Sequence, residues 1–305
     1  MQEKRILTIQ DISCFGQCSL TVALPILSAA GFETSIIPSA VLSTHTGGFK
    51  GYTFCDLTPE IRKISDHWLT EAIKFNVVYS GYLGNIEQIN QVKLLAARHL
   101  KEGGLLIVDP AMADYGKLYP GFDAAFVEEM KKLAFSADII IPNITEACLL
   151  TGIEYKETYN PEYIEQLLMT LRTLGAKKIV LTGVSYSPLT MGVAVYEHSK
   201  INYYEHKRIE KGCHGTGDVY SSSFIGAYLK GHSLFNSAKI AANYVVKCIE
   251  NTITDPTHWY GVKFESELPM YMNSLEIPDQ VEEVPIDLSD KEPDEEKLIT
   301  SNDFE

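Results

Sequence analysis

From Arg5 to about residue 250, short β-rich runs alternate with longer helical ones, which restricts the chain to few architectures. "RILTIQD" (5–11) reads as a buried strand, and "SLTVALPILSAAG" as a helix ending at Gly31. "TSIIPSAV" is a second strand, and "PEIRKISDHWLTEAIKF" sets Ile61, Ile64, Trp68, Leu69 and Ile73 at helical spacing. The alternation continues through "VVYSGYLGN", "IEQINQVKLLAARHLKEGG", "LLIVDPA", "FDAAFVEEMKKLAFSA" and "DIIIPN". It then passes through a short helix, "TEACLLTG", capped by Thr145, to "PEYIEQLLMTLRTLGA" and "KKIVLTG". "MGVAVYEH" and "KINYYEHKRI" form a hairpin pattern, followed by helices over 217–230 and 233–250. Such alternation builds βαβ units, hence a mainly parallel sheet with helices on both faces. "DIII" and "LLIV" are apolar at consecutive positions, as strands covered on both sides are. The expected fold class is α/β, a three-layer α/β/α sandwich.

In open sheets of this kind, ligands lie outside the C-terminal strand ends. Polar residues gather there: Asp11 and Ser13, then Ser80, Gly81 and Tyr82, then Asp109, Asn143 with Glu146, and Thr182 with Gly183. Charge bounds the rest. The net charge is −14, yet residues 276–305 hold twelve acidic side chains against two lysines. That stretch has little to bury and repels itself. The expected organisation is one domain over 1–275 and a solvated acidic tail over 276–305. No basic stripe is present to bind nucleic acid, and no apolar run approaches the ~20 residues that cross a bilayer. Six scattered cysteines without a CxxC pair suit neither a zinc site nor a disulfide framework, so a cytoplasmic protein is expected.

The most distinctive stretch is "GCHGTGDVYSSSF" (212–224), with glycines either side of Thr216, Asp218 directly after, and a helix beginning at once. Gly215, Thr216 and Gly217 offer unscreened N–H groups at a helix start, where orphan amides and the dipole attract an anion. A carboxylate there competes with a phosphate unless the two have separate tasks. Phosphoryl transfer supplies such tasks: a base orients an alcohol while donors take up charge on the phosphoryl oxygens. The plainer reading, an N-cap Asp218 on a tight turn, stays open on these residues alone.

"GTGD" before a C-terminal helix pair, "DP" after a middle strand and "PNxxE" after the next together resemble the ribokinase-like pattern. Within it, "LSTHTGG" (42–48) and "SGYLGN" (80–85) look like the vitamin B6 kinases. The likeness covers roughly residues 5–265. It implies a ribokinase-like sandwich, a homodimer, and ATP- and Mg²⁺-dependent transfer to the 5′-hydroxymethyl group of pyridoxal, pyridoxamine or pyridoxine. Asp218 is then the base, and the amides around Gly215, Thr216 and Gly217 hold the γ-phosphoryl group. Asp109 and Glu146 fall at acidic positions near the ATP phosphates and Mg²⁺, where carboxylates suit a hard, hydrated cation. Asn143, Thr182 and Gly183 fall at nucleotide contacts. On the substrate side, the likeness implies Thr46 and Gly47 near the ring substituents, Tyr82 along the ring pocket, and Asp11 and Ser13 in the first substrate loop. Capping for Glu146, a core position for Tyr82 and a plain strand exit for Thr182 account for the same residues without a site.

Three departures stand out. Asp11 lies where many B6 kinases carry serine; an acid there favours a protonated ring nitrogen or a different donor pattern on the ring, and also resembles the hydroxymethylpyrimidine kinases. Cys213 and His214 before the glycine loop resemble those enzymes as well, and Ile141 replaces a threonine of the "TPN" pattern. Cys213 is either a small filler or a thiol able to add to an aldehyde substrate. The alternatives carried forward are a hydroxymethylpyrimidine kinase and a non-catalytic binder of pyridoxal phosphate or nucleotide. The sequence leaves a monovalent-cation requirement open.

Overall fold

β1 (Arg5–Ser13) pairs in parallel with β2 (Glu33–Leu42) on one side and with β4 (Phe75–Ser80) on the other. The parallel sheet continues through β5 (Leu100–Val108), β8 (Ile139–Ile140) and β9 (Lys178–Val184). At one margin, β10 (Thr190–Glu197) and β11 (Lys200–Lys207) add as the expected antiparallel hairpin. At the other, β3 (Phe54–Asp56) runs antiparallel to β2. The nine-stranded order is β11-β10-β9-β8-β5-β4-β1-β2-β3. This is a computed structural model describing residues 4–209 and 212–279.

The helices divide between the two faces. α2 (Thr58–Thr70), α3 (Ile86–His99), α4 (Ala124–Ala134), α5 (Ile144–Thr151) and α6 (Pro161–Thr173) bury Ile61, Val92, Met130, Ala147 and Leu167 in one core. On the opposite face, α1 (Leu20–Ala29), α7 (Thr216–Lys230) and α8 (Leu234–Ile253) bury Leu27, Phe224 and Ala238. A third cluster joins α1, α7 and α8 to α9 (Leu268–Leu275) through Ile26, Ala227, Tyr244 and Tyr271. This is the three-layer sandwich that alternation dictates. Strand-covering helices on both sides explain why the central strands carry no polar face.

Chain order reverses beside β1: the chain leaves β1 for β2 and returns on the far side as β4. Ligands of open α/β sheets bind outside the strand ends at such a reversal. Between Gln10 and Ile12, the β1–β2 register slips by one residue, so Asp11 lies at the irregularity. Slips of this kind recur beside active sites because they re-aim a side chain.

Periodicity missed three features: the three exposed residues of β3, the small hairpin of β6 (Ala113–Asp114) with β7 (Lys117–Leu118), and α9. Each is too short to carry a period. The first residues past the expected boundary at 275 make contacts of their own. Asp279 accepts from the Ser233 N–H at 2.7 Å and meets His232 Nδ1 at 2.7 Å, while His232 Nε2 meets the Leu275 carbonyl at 3.1 Å. Residues 280–305 of the acidic tail lie outside the described residues.

Candidate active site

Gly215 is the N-cap of α7, at φ +81°, a left-handed conformation that suits glycine. A Cβ there would lie 2.0 Å from the Gln17 carbonyl oxygen. Gly217 is different: nothing lies within 4 Å of where its Cβ would be. Open space therefore fronts the loop. Among the described residues, no acceptor meets the N–H groups of Thr216, Gly217 or Asp218. The first amide of this turn to bond is that of Val219, to the Gly215 carbonyl at 3.0 Å. These are orphan donors of a helix start, with the positive end of the dipole behind them.

Asp218 does not cap this helix. No side chain caps α7, and Asp218 Oδ2 instead accepts from the Ser19 N–H at 2.9 Å. That disposes of the plain N-cap reading. Burial pushes the carboxyl up to about 7; the Ser19 N–H opposes this, and the nearby charge of Asp11 adds to it. A carboxyl so placed is suited to accept a proton near neutral pH.

Asp109 follows β5, and its Oδ2 accepts from the Ser221 hydroxyl at 2.6 Å. Burial pushes it up to about 7 too, with the charges of Asp218 and Asp114 adding. Asp114 receives the Tyr119 hydroxyl at 2.7 Å and Asn143 Nδ2 at 3.0 Å. The cap of α5 is Asn143, not Thr145: its side chain accepts from the Glu146 N–H, and Glu146 returns the bond in a capping box. The Thr145 hydroxyl instead accepts from the Gly116 N–H at 3.0 Å.

Glu146 is 2% exposed, and its two oxygens accept from the N–H groups of Met112 at 3.0 Å and Asn143 at 2.9 Å. Burial and the charge of Asp109 push its pKa well up. Glu146→Ala orphans two buried amides at about 1–3 kcal/mol each, so a total loss of about 2–6 kcal/mol is expected. Urea unfolding measures it, and a loss below about 1 kcal/mol would refute the structural role.

The charge of Asp114 raises both Asp109 and Glu146, and that of Asp109 raises Glu146 further, while the only charge that opposes the rise of Asp114 itself among the described residues is that of His214. No group of three metal-ligating side chains is close enough to form a complete cage among the described residues. Carboxylates at this place are the donor type that would hold a hard, hydrated cation through one or two oxygens.

On the other side of the reversal, Asp11 is 5% exposed and accepts from the Ser13 hydroxyl at 3.0 Å. Burial raises its pKa. Tyr82 stacks on Phe122 at 5.7 Å between centroids, and burial with the charge of Asp11 pushes its hydroxyl up to about 12. Gly47 donates its N–H to His45 Nδ1 at 3.0 Å, and a Cβ there would lie 2.6 Å from the His214 ring. The "LSTHTGG" and "GCHGTGD" loops therefore interlock. Among the described residues, Thr46 is exposed with its hydroxyl in no hydrogen bond, whereas half-buried Thr44 in the same loop has a buried hydroxyl oxygen without a partner. Cys213 is half-buried against the third cluster.

The expected nucleotide side is tied together by backbone. Thr182 gives both its N–H, at 2.9 Å, and its hydroxyl, at 3.4 Å, to the Pro142 carbonyl. Gly183 sits at φ +74° beside open space, and its carbonyl accepts from the Tyr159 hydroxyl at 3.4 Å. Sequence reasoning missed Ser19, Cys18, Asp114 and Ser221. Only Ser221 left a signal: it opens a run of three serines in α7, all at most 1% exposed in an otherwise apolar helix. Burial raises the Cys18 thiol, and the charges of Asp218 and Asp11 add to it.

A three-layer sheet with orphan amides and an uncapped carboxylate at its strand ends defines a kinase of the ribokinase-like superfamily. A phosphomethylpyrimidine kinase family model matches residues 28–261, and the chain belongs to that family. The pyridoxine/pyridoxal/pyridoxamine kinase of Bordetella pertussis is 26% identical over 271 residues, covering 81% of this chain and 89% of its own. The crystal structure of pyridoxal kinase from Lactobacillus plantarum is 30% identical with a TM-score of 0.82, covering 88% of this chain and 97% of that one. A Bacteroides thetaiotaomicron protein crystallised with pyridoxal is 31% identical with a TM-score of 0.84, covering 92% of this chain and 98% of its own. No helix among the described residues is long and apolar enough to cross a membrane.

Proposed function

We propose that the chain phosphorylates the 5′-hydroxymethyl group of a vitamin B6 vitamer, using ATP and Mg²⁺ and working as a homodimer. The carrying observation is the pairing at the start of α7: Asp218 leaves its own helix uncapped, while the amides of residues 216–218 have no acceptor among the described residues and space is open at Gly217. Asp218 takes the hydroxyl proton as the substrate oxygen attacks the γ-phosphorus and the bond to the β-phosphate oxygen breaks. The amides of Thr216, Gly217 and Asp218 stabilise charge on the phosphoryl oxygens. Asp109 would hold Mg²⁺, which when bound would neutralise phosphate charge, while Glu146 fixes the backbone at Met112 and Asn143 beside it. Tyr82 stacks on the substrate ring, with Asp11 at the ring nitrogen and Ser13 supporting Asp11. Thr46, Gly47 and Cys213 line the vitamer pocket, and Asn143, Thr182 and Gly183 line the nucleotide side.

The family description favours one rival, transfer to hydroxymethylpyrimidine. A panel of pyridoxal, pyridoxine, pyridoxamine and hydroxymethylpyrimidine with Mg–ATP separates the two. The expected result is a vitamer as the best acceptor, measured by ADP release and recovery of the 5′-phosphate. Higher kcat/KM for the pyrimidine, or tight vitamer binding with no ATP consumed, overturns the reading.

A further inference from the structure

Ser19 breaks two local rules at once. It is the N-cap of α1, where a serine ordinarily turns its hydroxyl to a first-turn amide, yet no side-chain cap bond forms. Its backbone sits at φ 54°, ψ −127°. Glycine enters that region freely; other residues stay there only when their surroundings hold them, and such strain clusters at functional sites. Ser19 is 5% exposed, so solvent does not account for the hydroxyl.

Its surroundings do hold it. The Ser19 carbonyl accepts from the N–H groups of Val22 at 3.0 Å and Ala23 at 2.9 Å, opening α1. Its N–H goes to Asp218 Oδ2 at 2.9 Å. Its hydroxyl turns to Asp11 and favours the ionised form of that carboxyl. One residue thus joins two acids that repel each other. Ile12 bridges to Ser19 from β1, and Val22 and Ile26 of α1 pack with Val219 and Ala227 of α7, so the joint is braced from both elements.

We propose that Ser19 is a positioning residue whose strained backbone and uncapped hydroxyl hold Asp218 and Asp11 in fixed relation across the substrate pocket. The inference rests on the kinase reading above. The N–H engages Oδ2 and leaves Oδ1 of Asp218, which has no partner among the described residues, for the substrate hydroxyl. The hydroxyl keeps Asp11 aimed at the ring while the base is aimed at the alcohol.

Ser19→Ala removes the hydroxyl and keeps the N–H. Ser19→Gly does the same and relieves the backbone, so it folds even if the alanine variant does not. Each is made alone and together with Asp11→Asn, then assayed with the vitamer the parent uses best. Each single variant should lose about tenfold in kcat/KM for the vitamer, with KM for ATP within about twofold of the parent. In the Asp11→Asn background the same changes should add less than about twofold, because the hydroxyl has already lost its charged partner. A full loss in both backgrounds means a merely structural serine and overturns the proposal, as does a single-variant loss within twofold. The same cycle is read in unfolding midpoints, which need no turnover. Failure of the kinase reading shows as an inactive parent with coupling intact; failure of this inference shows as an active parent with additive variants.

Discussion

Asp218→Asn should turn over about 10²–10⁴-fold more slowly than the parent, the range set by loss of a positioned general base. Asparagine retains an oxygen for the Ser19 N–H, so the loop stays in place and KM for ATP should move less than about threefold. The parent supplies a second check. A base works only when ionised, and this carboxyl is pushed up to about 7. The parent's kcat/KM for the vitamer should therefore rise with pH through about 7, and that limb should be missing from the residual activity of the variant. Stability moves oppositely. A carboxyl with its folded pKa raised from 3.8 disfavours the folded state as pH rises through that window. Asp218→Asn should thus unfold at a higher temperature than the parent at pH 8, with the gap closing below about pH 4. Near-parent turnover would reject the mechanism.

Gly215→Ala attacks the other half of the site. At φ +81° a side chain costs about 1–2 kcal/mol by conformation alone, and the new methyl would meet the Gln17 carbonyl at 2.0 Å. That contact is with backbone, so either the 215–218 turn or the 17–19 segment must shift. The first carries the orphan amides and the second carries the Ser19 N–H that holds the base. Loss of one well-aimed donor is worth about 10²–10³ in kcat, and this substitution displaces several. A kcat loss of at least that size with a lowered unfolding midpoint is expected. Gly217→Ala is the matched control: its methyl enters open space and should leave the midpoint within about 2 °C. Parent-like turnover in Gly215→Ala would show that the amides do not hold the transferred group.

The layers of the sheet were legible because buried parallel strands must be apolar at consecutive positions, as in "LLIV" and "DIII". The glycine loop was legible because Gly215 is required twice over, by its φ and by Gln17. Glu146 was harder. Its spacing from Asn143 announced either a cap or a metal ligand, and in the structure it caps α5 while its pKa is raised by the neighbouring acids. Ser19 was invisible. Its strain and its two acid partners depend on residues 8 and 199 positions away, and no local pattern reports such separations. Asp114 was hidden similarly, in a hairpin of two-residue strands too short to show alternation.

The contacts of His232 with Leu275 and Asp279 bear on how the chain can be cut or joined. α7 carries the reacting groups on its first turn and is fastened just past its last, at His232 and Ser233, by Leu275 at the end of α9 and by Asp279 beyond it. A shortened version for crystallisation that stops at residue 275, where the run of acids begins, would strip the carboxylate from His232 and the acceptor from the Ser233 amide. The workable trimming point lies after Asp279, and any reporter or affinity handle belongs beyond it.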